Sequence, residues 1–256
     1  MSLTVRRRPA ALVSLLVLTF SLGCPHKPAE RTKVVVSIFP VYDLTRRIAG
    51  PDADVTLILP QGKSVQGFVP PDPAAATAAR LGVMVGLGLD PWMDGLMKAA
   101  PKAHVLKVAD RVPTLGRPLP GAAAGANPYV WLDPQRAAVM SKAIAEELGR
   151  VDSAHALAYR ARADRLGDAL DALDKEVDAK AATWKTRSIV TLHDDFGYFA
   201  DRYHLRVAAV VELAPDTWKS AGAPLVMLDP LGAVSGIDSY EKLIRLDVAA
   251  LDQALR

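Results

Sequence analysis

Residues 187–200 read Arg187-Ser188-Ile189-Val190-Thr191-Leu192-His193-Asp194-Asp195-Phe196-Gly197-Tyr198-Phe199-Ala200. The β-branched apolar run up to Leu192 is of strand type. Phe196 to Tyr203 is aromatic and helix-patterned, with Asp194 or Asp195 placed to cap its N-terminus. His193 therefore falls where a strand hands over to a helix, and in open α/β sheets that carboxyl edge is where ligands bind. A second stretch repeats the arrangement: Pro224-Leu225-Val226-Met227-Leu228 runs as a strand into Asp229, Pro230 and a glycine-containing loop. Two strand ends with metal-capable side chains imply a binding cleft. The plainer alternative is that His193 only caps a helix and Asp229 only starts a turn.

Upstream, the same alternation recurs. Val34 to Ile38 is a continuous apolar run of the kind a buried parallel strand requires. Tyr42 to Ala49 reads as a helix closed by Gly50-Pro51, and Val55 to Leu59 as a second strand. A loop over 60–73 precedes a helix over Ala74–Arg80, a third strand over 81–85 and a fourth over 105–108. Asp90-Pro91 is read as the N-cap and first position of a short helix. Strands alternating with helices predict an α/β fold with parallel sheets and right-handed crossovers. Pro113 to Ala126, rich in Gly, Pro and Ala, is a loop.

From Asp133-Pro134 helical sequence runs to about Ala182, broken near Gly149 to Ser153. Its second part carries Tyr159, Ala163, Leu166, Leu170, Leu173 and Val177, a single apolar stripe at alternating steps of four and three. A helix of this length between two βα regions reads as a rigid spacer; a coiled coil is the alternative. Strands over 188–192, 207–211 and 224–228 follow, with helices over 196–203 and from about Asp238 to Leu255.

The 256 residues are enough for two modest domains or one large one. The net charge of +3 is partly due to Arg6, Arg7 and Arg8 at the start of the chain. No basic stripe with interleaved aromatics follows, so a nucleic-acid partner is not expected. Arg6–Arg8 form a positive n-region, and Ala10 to Leu22 an apolar h-region too short to span a bilayer comfortably. The single cysteine, Cys24, closes this segment directly after Gly23. That placement resembles a bacterial lipoprotein cleavage site, with Cys24 as the lipidated first residue, although Ser21 stands where Leu is usual. An ordinary signal peptide or a short membrane anchor is the alternative. Residues 25–33 are polar and unpatterned, a tether. Gly86-Leu87-Gly88 lacks the further glycines and acidic partner of a dinucleotide loop. No Ser, His and Asp share a nucleophile-elbow setting, so an enzyme is not expected.

Five segments together resemble the zinc/manganese solute-binding lipoproteins of ABC importers, a group that includes adhesin-like lipoproteins. They are Ser37-Ile38-Phe39-Pro40-Val41-Tyr42-Asp43-Leu44, Gly86-Leu87-Gly88-Leu89-Asp90-Pro91-Trp92, Val130-Trp131-Leu132-Asp133-Pro134, His193-Asp194-Asp195-Phe196-Gly197-Tyr198-Phe199 and Leu228-Asp229-Pro230-Leu231-Gly232. The resemblance implies two βα lobes joined by one long linker helix: signal peptide 1–24, tether 25–33, N-terminal lobe 34–152, linker helix 153–183 and C-terminal lobe 184–256. It implies an exported, membrane-anchored monomer that holds a metal between its lobes with three His and one carboxylate, and delivers it to an ABC permease.

Carried over residue by residue, His193 matches the third His and Asp229 the carboxylate. The other two positions hold Gln66 and Tyr129. The acidic and His-rich loop of many zinc-specific relatives would fall at about 115–126, which has neither residue type. A strand–helix unit between Val211 and Pro224 is shortened, so the C-terminal lobe is reduced. Zinc favours nitrogen and sulfur donors. An amide oxygen and a phenol of ordinary pKa about 10 shift the site towards oxygen-favouring ions such as Mn²⁺ or ferric iron. The alternative is a degenerate relative that keeps the scaffold as a surface interaction or regulatory protein.

Overall fold

The computed structural model describes residues 30–70, 72–115, 126–210 and 226–256. Cys24 and the signal segment, most of the tether, residues 116–125 and the connection 211–225 lie outside the described residues. The chain divides between Glu30 and Arg31, and every described strand and helix belongs to the unit Arg31–Arg256.

Four parallel strands form the first sheet in the order β2-β1-β3-β4: β1 Thr32–Val36, β2 Ala53–Leu57, β3 Leu81–Met84 and β4 His104–Lys107. β1 and β2 each start two residues before the apolar runs that signalled them. Pairing takes in the polar positions Thr32 and Lys33 opposite Ala53 and Asp54. The run Val34-Val35-Val36 is apolar without alternation because both faces of β1 are covered. Val34 and Val36 face helix α1, Phe39–Ala49, and the main core, whereas Val35 faces a second cluster with Ile58, Met84, Met93 and Met97.

Helix α1 begins three residues before Tyr42, with Pro40 in its first turn, where a missing N–H costs nothing. It ends at Gly50, whose φ of +56° lies in the left-handed region. The Arg162 guanidinium sits over Gly50 where a Cβ would stand, and donates to the main-chain oxygens of Ile48 and Ala49. The helix expected over Ala74–Arg80 is absent. Only a 3₁₀ turn forms at Pro73–Ala76, capped by Asp72. One further turn follows, closed by Ala79 N–H to Ala76 O, and Arg80 then donates its N–H to Lys33 O, which takes the chain out of the helical path and into β3. Asp90 is also not the cap expected of it. The short helix α2, Trp92–Met97, has no side-chain cap. The fully buried Asp90 carboxylate instead accepts from Val85 N and Gly86 N at 2.7 and 2.9 Å, closing the turn after β3.

The helical stretch is two helices, α3 Pro134–Val151 and α4 Ala156–Ala181, separated by a 3₁₀ turn at Ser153–His155. Asp133 caps α3 through Gln135 N and Arg136 N. Every member of the predicted α4 stripe is buried, and it packs within the core of this same unit rather than forming a coiled coil. Asp174 is buried too, and is held by Arg202, the Tyr203 hydroxyl and Gln135.

The second sheet has two parallel strands among the described residues, β5 Ser188–Thr191 and β6 Arg206–Val210. Val226 to Leu228, expected in a third strand there, carry no strand structure. Helix α5, Gly197–Arg202, follows β5, and α6, Tyr240–Leu255, closes the unit with Ser239 as its cap. Among the described residues no helix is long and apolar enough to cross a membrane.

Candidate metal centre

His193 lies in the turn after β5, exposed to solvent. Its neighbours do not cap α5, as the sequence suggested: the capping position is Phe196, and no side chain bonds there. The Asp194 carboxylate is drawn elsewhere. Asp194 Oδ1 accepts from Asn127 Nδ2 at 3.1 Å, and Asp194 O accepts from the same nitrogen at 2.7 Å. Burial raises the Asp194 carboxyl, against the lowering effect of that bond. Asp195 is pushed up to about 6 by burial, opposed in part by main-chain hydrogen bonding at Asp195 itself.

Tyr129 is half-buried at the start of a 3₁₀ turn, Val130–Leu132. Its N–H donates to Asn127 Oδ1 at 2.9 Å, and its ring lies 5.1 Å from that of Trp131. Trp131 is fully buried and reaches the loop after Asp229, donating from Nε1 to Pro230 O at 2.8 Å. Its own carbonyl accepts the Tyr240 hydroxyl at 2.5 Å. The Tyr129 turn is thus tied to the His193 turn through Asn127 and to the Asp229 loop through Trp131.

Asp229 is buried, 7% exposed, and its carboxylate accepts from Leu231 N at 3.2 Å and Val234 N at 2.8 Å. The turn-starting role is therefore real. It leaves lone pairs on both oxygens, since a carboxylate has about four acceptor sites. The Asp229 N–H donates to Oδ1 of Asp247 on α6 at 2.6 Å. Asp247 is pushed up to about 7 by burial, with the Asp229 and Asp195 charges adding to the effect of burial and the Asp229 N–H opposing it.

Gln66 is exposed, and its Oε1 accepts the Ser64 hydroxyl at 2.8 Å within its own turn. The link from this loop to the site is Gln61, whose Nε2 donates to Gly232 O and Ile237 O at 3.0 and 2.9 Å. Among the described residues no three His, Cys, Asp or Glu side chains gather as a metal-holding group.

Sequence reasoning missed Asn127, Gln61, Trp131 and Asp247 as the residues that hold the loops together. Asp247 alone left a signal: it is an acid on the apolar face Leu243, Ile244, Val248 and Leu251 of α6.

The family model for the periplasmic zinc-uptake complex component A, ZnuA, matches residues 34–223. The high-affinity zinc uptake system protein ZnuA of Brucella abortus is 31% identical over 155 residues, which is 46% of this chain and 46% of that protein. The chain thus matches about half the length of that curated relative. A zinc-bound deletion mutant of ZnuA shares the fold with a TM-score of 0.77 at 21% identity, over 88% of this chain and 98% of its own. The laminin-binding protein Lmb of Streptococcus agalactiae, described as an adhesin with metal-transporting activity, superposes with a TM-score of 0.75 at 25% identity. That match covers 89% of this chain and all of Lmb. With a family model matched across most of its length, the chain belongs to the ZnuA family of periplasmic zinc-uptake components.

Proposed function

We propose that this chain is the substrate-binding lipoprotein of a metal-ion ABC importer, capturing zinc, manganese or iron outside the cytoplasmic membrane and delivering it to a permease. The observation that carries the reading is family membership over residues 34–223, in a chain whose His193 and Asp229 turns are both tied to one intervening turn. His193 supplies an imidazole, Asp229 a carboxylate and Tyr129 a phenol oxygen; Gln66 contributes after turning away from Ser64. Three oxygen donors and one nitrogen favour a harder ion than zinc. The cargo sits between a lobe over 34–152 and a reduced lobe over 184–256, with 153–183 as the linker helix. Cys24 carries the lipid that holds the monomer to the membrane, facing the periplasm or cell exterior.

The test is titration of protein lacking residues 1–24 with Zn²⁺, Mn²⁺ and Fe³⁺. Micromolar or tighter binding is expected for at least one ion, weakened by about tenfold or more, roughly 1.4 kcal/mol, in His193→Ala and Asp229→Ala. A yellow-to-purple charge-transfer band with iron, lost in Tyr129→Phe, would identify a phenolate ligand. Failure to bind any of the three at micromolar concentrations sinks the reading and favours the degenerate-scaffold alternative. Release of the full chain from membranes by Cys24→Ser checks the anchor.

A further inference from the structure

Asn127 bonds to both turns that carry proposed ligands. Its Nδ2 donates to Asp194 O at 2.7 Å and to Asp194 Oδ1 at 3.1 Å, beside His193. Its Oδ1 accepts from the N–H of Tyr129 at 2.9 Å. Its main-chain oxygen accepts the Tyr198 hydroxyl, from α5, at 2.9 Å. An asparagine side chain offers two N–H donors and one acceptor oxygen, and here both ends of the amide are in use on different turns.

The seat for this side chain is built. Gly197 faces it, and a Cβ there would lie 3.3 Å from Asn127 Nδ2. Tyr198 is itself fixed, with its hydroxyl accepting from Leu115 N at 3.3 Å and its ring under the Arg136 guanidinium at 4.8 Å. Pro128 has a fixed φ and stands between Asn127 and Tyr129, so placing Asn127 places Tyr129. Asp194 directly follows His193, so holding both its carbonyl and its carboxylate holds the histidine turn.

We propose that Asn127 is a positioning residue for the metal site: it latches the Tyr129 turn to the His193 turn and so sets how long a captured ion stays. The retention half rests on the proposed metal capture; the latch itself does not need a metal. A latch that must open before release acts on dissociation more than on association. Losing the side chain breaks three hydrogen bonds, two of them to Asp194 and one of those to its carboxylate, and corresponds to about tenfold or more in rate.

Two measurements on the protein lacking residues 1–24 test this. Without metal, hydrogen exchange of Asn127→Ala should rise together in 126–132 and 191–196, with the strands of the first sheet unchanged; Asn127→Ser serves if the alanine variant does not fold. A rise in only one of the two segments overturns the latch. With metal, chelator-driven dissociation should be about tenfold or more faster in Asn127→Ala, with association changed by less than about threefold. Asn127→Asp sets two carboxylates against each other and should dissociate at least as fast, and Asp194→Asn added to it should recover part of the loss by reversing donor and acceptor. Wild-type protein that binds no metal removes the retention role together with the metal-capture reading. Wild-type binding with unchanged dissociation in Asn127→Ala removes the retention role alone.

Discussion

The main-chain N–H of Asp229 donates to Oδ1 of Asp247 at 2.6 Å, so the loop carrying the proposed carboxylate ligand hangs on an acid buried in the middle of α6. Asp247 is 1% exposed, and its Oδ2 has no hydrogen-bond partner. Two acids, Asp229 and Asp195, add to the burial that pushes its carboxyl up to about 7.

A raised native pKa makes that residue a stability switch with a definite sign. Below the ordinary value of 3.8 the carboxyl is protonated in both states, and the contribution is fully present. As pH climbs to about 7 the unfolded chain loses the proton first, so stability is lost across that window and levels off above it. Asp247→Asn stays neutral and keeps an oxygen for Asp229 N–H. Its stability relative to wild type should therefore rise by roughly a few kcal/mol between about pH 4 and 7. Urea melts of both proteins across that range check this, and parallel curves contradict it.

Gly232 has a φ of +72°, and a Cβ there would fall 2.6 Å from Cδ1 of Phe39. Gly232→Ala thus meets two penalties, backbone strain and overlap with a buried ring, and should destabilise by about 2 kcal/mol or more. Phe39→Leu relieves only the overlap. In a double-mutant cycle the pair should cost less than the sum of the singles by about 0.5 kcal/mol or more; strict additivity would mean that the ring moves aside freely.

Phe39 and Gly232 lie in two resemblance motifs far apart in the chain, and their contact could not be read from either motif. The parallel strands, the α3–α4 break and the α4 stripe were readable because periodicity and local caps fix them. Long-range partners overrode local propensity where expectation failed. Arg80 is pulled into the sheet by Lys33, and Asp90 is taken by the turn after β3. Asp194 is claimed by Asn127, 67 residues away. Among the proposed ligands, His193 and Asp229 could be singled out because their residue types carry metal-binding chemistry. Asn127 and Asp247 could not, since their roles depend on which loop arrives opposite them.

Asp43 makes the corresponding tie on α1. It is fully buried, and its Oδ2 accepts the N–H of Tyr240, the first residue of α6, at 2.9 Å. Arg46 faces its Oδ1 at 2.5 Å, and Arg47 bridges from 3.6 Å to Glu241, which it holds through both oxygens at 2.7 and 2.8 Å. Burial raises the Asp43 carboxyl, while the Tyr240 N–H and then the two arginines pull it down. Asp43→Leu leaves the buried Tyr240 N–H without an acceptor, while Arg46 keeps its bond to Asp238 O and Arg47 its bonds to Glu241, so a loss of about 1–3 kcal/mol is expected. Asp43→Asn keeps the acceptor and should lose less. The Arg245–Glu176 pair joins α6 to α4 at the surface, with both side chains about half exposed. Glu176→Gln should cost under about 1 kcal/mol, and high salt should erase most of that. Denaturation at low and high salt separates the two cases. An Asp43→Leu penalty that salt abolishes would show that α6 is held by surface charge rather than by the buried carboxylate.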